Sequence, residues 1–358
     1  MFRQLKSLAL LCGVLCLGGG YRQAAPGYHY TFPRDHFEHP AYRTEWWYYT
    51  GNVRDTDGKR FGFELVFFRQ GQELREGDNP SAWRIEDLYL AHLAVTDIDE
   101  RHFFSHERLN RAGPGIAGAS FEQQRVWNGN WSAAWHGERQ VLAATAQEIR
   151  FRMELQPLKQ PVVHGVNGVS QKGNQPGEAS YYVSMTRLAV SGELTVGGKR
   201  HSVTGTAWMD HEWFTNQLDP EQTGWDWFSA QFDDQTELML FRLRRKDGTV
   251  DAHSAGTYVD REGRARHLTQ ADFSLTPLDF WRSPRTGASY PVHWRVQAPS
   301  LGLTLDAAAA YNAQELVSDD SDGPNYWEGA VTYSGSRTGL GYLEMTGYDK
   351  PVHLGAIE

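Results

Sequence analysis

One aromatic strand, written twice, constrains this chain more than any other feature. Trp225-Asp226-Trp227-Phe228-Ser229-Ala230-Gln231-Phe232 matches residues 46–53 in aromatic placement and polarity without a gap. After a shorter turn, Glu237-Leu238-Met239-Leu240-Phe241-Arg242 matches Glu64-Leu65-Val66-Phe67-Phe68-Arg69. The closing hairpins also correspond: Ser191-Gly192-Glu193-Leu194-Thr195-Val196 parallels Glu328-Gly329-Ala330-Val331-Thr332-Tyr333. Opening and closing strands that recur in the same order imply two copies of one unit. Each copy is roughly 140–190 residues, a size that suits a closed or nearly closed antiparallel barrel.

Local pattern agrees. Asp57-Gly58 marks a hairpin turn, and Phe61, Phe63, Leu65 and Phe67 alternate along the returning strand. Further strands are expected at 88–97, 148–155, 181–188, 193–196 and 202–209. Residues 165–180 are rich in Gly, Asn and Ser without periodicity and read as a long loop, either a cover over a site or a plain insertion. With Trp225 opening the second unit, the linker falls near Gln217-Leu218-Asp219-Pro220, giving domains at 27–217 and 218–358.

The N-terminus carries Arg3 and Lys6, then an apolar run and Gly18-Gly19-Gly20, the pattern of an export signal over residues 1–20. Both cysteines, Cys12 and Cys16, lie inside it, so the mature chain has no disulfide, cysteine–metal site or cysteine nucleophile. Cys16 offers a place for a lipid anchor, but Leu15 before it is bulkier than lipoprotein processing prefers. A periplasmic or secreted product is therefore the expectation. Removing the signal takes away two cations and no acid, so the net charge of −9 becomes −11. An acidic chain without basic runs argues against a nucleic-acid partner.

Chemistry concentrates in Trp208-Met209-Asp210-His211-Glu212-Trp213, with residues 210–214 expected just past the last strand of the first unit and able to face the second. On an extended backbone Asp210 and Glu212 point one way, and His211 and Trp213 the other. At the corresponding place in the second unit the chain reads Thr346-Gly347-Tyr348-Asp349. The absence of His-Glu-Trp there favours a special role in the first unit. His211 could instead donate to a backbone carbonyl, Glu212 could pair with Arg242, and the tryptophans could fill core. Six such residues at a domain junction turn the balance toward a cleft. No Gly-x-Ser-x-Gly elbow is present, and Ser170-x-Lys172 reads as loop polarity. His36-x-x-His39 and His102-x-x-x-His106 are loosely spaced and lack the helix and placed carboxylate that make His-Glu-x-x-His persuasive, so no metal or other cofactor is expected.

These residues resemble the carotenoid 1,2-hydratase (CrtC)/AttH family of lipocalin-like proteins. The resemblance rests on Glu45-Trp46-Trp47-Tyr48, Tyr181-Tyr182-Val183-Ser184, Trp208–Trp213 and Gly224-Trp225-Asp226-Trp227-Phe228. It continues through Ser283-Pro284-Arg285-Thr286-Gly287-Ala288, Tyr326-Trp327-Glu328-Gly329 and Gly341-Tyr342-Leu343-Glu344. It implies an all-β fold of two tandem lipocalin-like antiparallel barrels with a ligand cleft between or within them. The implied ligand is a hydrophobic small molecule, and the implied activity is hydration or rearrangement of a carbon–carbon double bond. The alternative is a non-catalytic carrier or chaperone of a lipophilic ligand, associated with an export system or transporter. In carotenoid hydratases a His-x-Trp pair acts with a Tyr-x-Asp pair; here His211 and Trp213 match the first, while Phe241 and Leu243 stand at the second. The expected catalytic residues are therefore His211, Trp213 and Asp210, with Asp226 as replacement acid. Glu45, Trp46, Trp208, Trp225, Trp227 and Phe241 are expected to contact the ligand.

Overall fold

The computed structural model describes residues 20–72, 85–318 and 323–352. The expected export signal, through residue 19, lies outside them. Short turns keep the chain antiparallel. At Asp57-Gly58 the Asp55 carboxylate accepts the backbone N–H groups of Asp57 and Lys59, and Gly58 takes φ +86°. At Gly197-Gly198 both residues have positive φ, the geometry of a two-residue hairpin.

The first sheet begins with β1 (Thr44–Asp55), β2 (Arg60–Gly71), β3 (Asp87–Asp97) and β4 (His102–Arg111). It continues through β5 (Ala117–Ser120), β6 (Arg125–Asn128), β7 (Trp131–His136), β8 (Arg139–Ala146) and β9 (Ile149–Pro157). Two-residue strands β10 (Val162–Val163) and β11 (Ser170–Gln171) precede the long β12 (Ala179–Val196) and β13 (Lys199–Phe214). The strand order is β4-β3-β2-β1-β13-β12-β9-β8-β7-β6-β5, with β10 and β11 on β12. Its ends meet through side chains: Asn110 of β4 donates to Asn128 Oδ1 at 2.6 Å, and Asn128 donates to the Tyr89 carbonyl at 2.9 Å. The barrel is nearly closed.

The second sheet runs β14 (Gln222–Phe232), β15 (Glu237–Arg245), β16 (Ala255–Val259), β17 (Ala265–Thr269) and β18 (Ser274–Arg282). Then come β19 (Ser289–Ala298), β20 (Leu303–Ala309), β21 (Glu315–Leu316), β22 (Tyr326–Gly335) and β23 (Gly339–Thr346). The order is β17-β16-β15-β14-β23-β22-β20-β19-β18, with β21 on β22. Edge strands β17 and β18 do not pair, leaving a half-barrel. The chain passes between the sheets from Phe214 to Gln222.

Alternation along the strands sorts the aromatics. Trp47 and Tyr49 fill the first barrel, while their neighbours Trp46 and Tyr48 point outward toward the second. Phe228 and Ala230 fill the second barrel, and Trp225 and Trp227 point back at the first. Between the walls lies a shared apolar layer that includes Tyr48, Val66, Tyr182, Trp208, Trp227, Phe241 and Tyr342.

Register corrects three expectations. The closing hairpins match differently, since Met185 faces Met209 as Gly329 faces Leu343, which sets Gly329 against Met185 and not Gly192. Tyr48 faces Asp210 and Trp227 faces Glu344, so Asp210-His211-Glu212 corresponds to Glu344-Met345-Thr346 rather than to the residues from Thr346 onward. Thr50 faces Glu64 and Ser229 faces Met239, so the strand after the shorter turn is offset by two from the expected match. Strand β13 also runs on to Phe214 instead of stopping at 209. The chemistry-bearing stretch lies inside a barrel wall.

Candidate functional site

The alternation of β13 places Trp208, Asp210 and Glu212 on the side that faces the second sheet. With them stand Trp46 and Tyr48 of β1 and Tyr182 of β12. Across the gap are Trp225 and Trp227 of β14, Phe241 of β15 and Glu344 of β23. The cavity between them has a volume of about 1220 Å³. All these residues line it except Trp208, which lies in the adjoining apolar layer and donates its indole N–H to Asp210 at 2.6 Å. Equivalent aromatics of the two sheets meet there. Trp46 stacks toward Trp225 with ring centres 6.5 Å apart, and Tyr48 meets Trp227 edge-on at 5.3 Å.

The cavity is apolar in its walls and acidic in its polar groups. Burial pushes the Asp210 carboxyl up to about 7 although three donors bond it: Tyr182 at 2.5 Å, Trp208, and the Ser184 hydroxyl. Tyr182 in turn accepts the Trp227 indole N–H at 2.8 Å, bridging the sheets. Burial raises Glu344 to about 7, with the charges of Asp210 and Glu212 adding to it; Trp225 donates to it at 3.1 Å. Burial raises Glu64 to about 8, and Glu344 adds to that shift. One Glu64 oxygen accepts from Tyr326 at 2.8 Å, while Oε2 is buried without a partner. Behind Glu64, Glu328 is also pushed well up by burial and by its acidic neighbours; it accepts from Tyr48 at 2.8 Å.

A buried lysine stands among these groups. Lys172, from the 165–180 loop, lies 3.6 Å from Glu212 and 3.8 Å from the centre of the Phe241 ring. Burial lowers its pKa, and Ser170 sits 3.0 Å from its ammonium. Lys172 is thus part of the cavity wall, with Ser170 bonded to it, and the pair is not loop polarity alone.

Several expected site residues lie elsewhere. His211 and Trp213 face the interior of the first barrel beneath the N-terminal segment, because they alternate with the residues that face the cavity. The pair that lines the cavity is Asp210 and Glu212. Glu45 is away from the cavity too, bonded by His39, His211 and Arg69. Asp226 points into the second barrel, held by Arg242 at 2.7 Å, Arg244 at 3.3 Å and Tyr348 at 2.8 Å, so it does not replace a missing acid. Trp46, Trp225, Trp227 and Phe241 do line the cavity.

Sequence reasoning passed over Glu64, Tyr182, Lys172, Tyr326 and Glu344. A signal was present for Glu64 and Glu344: the first stands between Phe61-Gly62-Phe63 and Leu65-Val66-Phe67-Phe68, and the second follows Gly341-Tyr342-Leu343 and precedes Met345. Lys172 stood out only as half of Ser170-x-Lys172, and a loop of mixed polarity gives no mark that its cation is buried.

Two β-barrel sheets with an aromatic, acid-lined cavity between them define a two-domain lipocalin-like protein. The match to the AttH-like family model spans residues 23–348, and the chain belongs to that family. It is similar to a solved structure described as a putative AttH from Nitrosomonas europaea. That match has 35% identity and TM-score 0.83, covering 91% of this chain and 99% of the other. Kievitone hydratase from Nectria haematococca shares the fold at 16% identity and TM-score 0.65, over 87% of this chain and 90% of its own. CghA, solved with Sch210972, shares it at 14% identity and TM-score 0.52, over 86% and 89%. No curated protein sequence matches the chain.

Proposed function

We propose that the inter-barrel cavity binds an extended apolar molecule and hydrates, or isomerises, one of its carbon–carbon double bonds by acid catalysis. The observation that carries this reading is the set of buried carboxyls, Glu64 and Glu344 foremost, that keep protons near neutral pH within aromatic walls. Protonating an isolated alkene needs an undissociated acid beside carbon, which a carboxyl supplies when water is excluded. Glu64 has an oxygen free of other partners and gives its proton to one alkene carbon, leaving a tertiary cation on the other. The faces of Trp46, Trp225 and Trp227 stabilise that cation. Water adds to it, and the surplus proton passes from the new oxygen to the Glu64 carboxylate, which restores the acid for the next turnover. Loss of a proton from carbon instead of water addition moves the double bond. The fold shared with a protein named a hydratase supports the reading.

The test uses acyclic polyenes and prenylated aromatics in oxygen-labelled water, with products followed by mass spectrometry. The expected result is a labelled hydroxyl in the product, with turnover reduced about 100-fold or more in Glu64→Gln. Tight binding without turnover in the wild type would sink the catalytic reading and leave a carrier of lipophilic ligands.

A further inference from the structure

On the face of β13 away from the cavity, three buried side chains converge. His39 Nδ1 and His211 Nε2 lie 2.7 and 2.8 Å from the same atom, Oε1 of Glu45. The three atoms all fall within 4.8 Å of one another. The outer nitrogen of each ring is also engaged. His211 Nδ1 faces the Asp35 carbonyl at 3.0 Å, and His39 Nε2 faces the Asp35 carboxylate at 3.3 Å. The second Glu45 oxygen accepts the His39 backbone N–H at 2.8 Å and Arg69 Nε at 3.2 Å.

Each histidine therefore meets an oxygen acceptor at both ring nitrogens. A neutral imidazole has one N–H and one lone pair. With both rings neutral and their outer nitrogens donating, two lone pairs would point at a carboxylate oxygen. The centre needs two extra protons or one divalent cation. Two imidazolium rings with centres 5.5 Å apart, both donating to one oxygen away from water, repel each other. A single ion accepts both lone pairs and the carboxylate oxygen at once. It also adds positive charge where carboxylates gather: Glu45 and Asp87 share Arg69, and Asp35 meets His39. Histidine ligands are commonly oriented by an outer N–H bonded to a carboxylate or a carbonyl, and both arrangements are present here.

We propose that His39, Glu45 and His211 form a binding site for one divalent transition-metal ion, separate from the cavity. Two imidazoles and a carboxylate favour zinc among the available ions. Ligand atoms around a tetrahedral ion stand roughly 3.3 Å apart, so the two short separations open by about half an ångström on loading. The rings have little freedom to turn away. Trp213 stacks on His39 at 3.8 Å, and Trp47 on His211 at 4.9 Å. The ion joins the N-terminal segment, through His39, to β1 and β13, and so clamps that segment over the end of the first barrel.

The full chain is stripped with a chelator, then titrated with zinc and separately with cobalt. The expected result is one ion per chain, a raised Tm and a visible cobalt spectrum of a tetrahedral nitrogen–oxygen site. Asp35→Asn, which leaves all three ligands in place, is expected to weaken binding about 10- to 100-fold. His39→Gln and His211→Gln are expected to abolish the spectrum, whereas exposed His136→Gln leaves it unchanged. Failure of the wild type to take up a stoichiometric ion from zinc, cobalt or ferrous solutions overturns the proposal and leaves a doubly protonated ion network. Retention of the ion by a folded His39→Gln/His211→Gln double variant overturns it as well.

Discussion

A carboxyl that folding removes from water holds its proton more tightly, and the cavity acids make this a property of the whole chain's stability. For Glu64 the pKa rises from 4.5 unfolded to about 8 folded. Between those values the folded state carries the proton that the unfolded state has released. Stability is therefore fullest below pH 4.5 for this group and falls as pH rises toward 8. Glu64→Gln, which keeps the shape without the titration, is expected to flatten that decline and to raise the Tm at pH 8–9. Denaturation of both proteins across pH 5–9 measures it, and an unchanged slope would remove Glu64 from the set of buried protonated acids. Asp226 serves the fold through its ion pairs with Arg242 and Arg244. Asp226→Ala leaves Arg242 and Arg244 without their carboxylate and is expected to cost roughly 3 kcal/mol. Ligand binding in the cavity should stay within about twofold of wild type by fluorescence titration, because Asp226 faces the other way.

At the level of the strand, β13 explains how far the sequence could be read. Its alternation was legible: Asp210 with Glu212 on one side, His211 with Trp213 on the other. Which side faces the partner barrel was not, because both carry aromatics and both are fully covered in the fold. The repeat was equally legible in its aromatic strand, where Trp46 and Trp225 anchor the match. It slipped by two residues beyond the turn, since hairpin length leaves no mark on the hydrophobic pattern. The loop cation Lys172 depended on tertiary packing alone. A strand-level prediction follows from Gly62 of β2, where an added Cβ would lie 2.8 Å from Tyr342 Oη and 2.9 Å from Ala330 Cβ. Both neighbours belong to the second sheet, so Gly62→Ala presses one barrel against the other. Stiffening the unfolded chain offsets less than the overpacking costs. A net loss of about 1–2 kcal/mol is expected in chemical denaturation. A gain in stability would mean that the barrels can shift to make room.

At the scale of the molecule, the two barrels meet through equivalent strands, β1 and β13 against β14 and β23, and share one apolar layer. Polar side chains stitch the same surface: Thr96 to Gln314 at 2.7 Å, Gln231 to the Ala207 carbonyl at 2.8 Å, and Arg187 to Glu237 at 2.5 Å. Separating the barrels would expose Trp227, Phe241 and Tyr342 to water and strand Glu64 without Tyr326 and Glu328 without Tyr48. Neither half can keep its outer face covered alone, so both should unfold together. Far-ultraviolet and aromatic circular dichroism are expected to report one coincident transition. A protease site placed at the exposed Glu221 sharpens the test, because cutting there removes the only covalent tie between the sheets. The nicked halves should elute together on size exclusion and dissociate only in denaturant. Folded halves that part under native conditions would show the shared layer to be too weak to bind them, and the cavity between them would then be free to open.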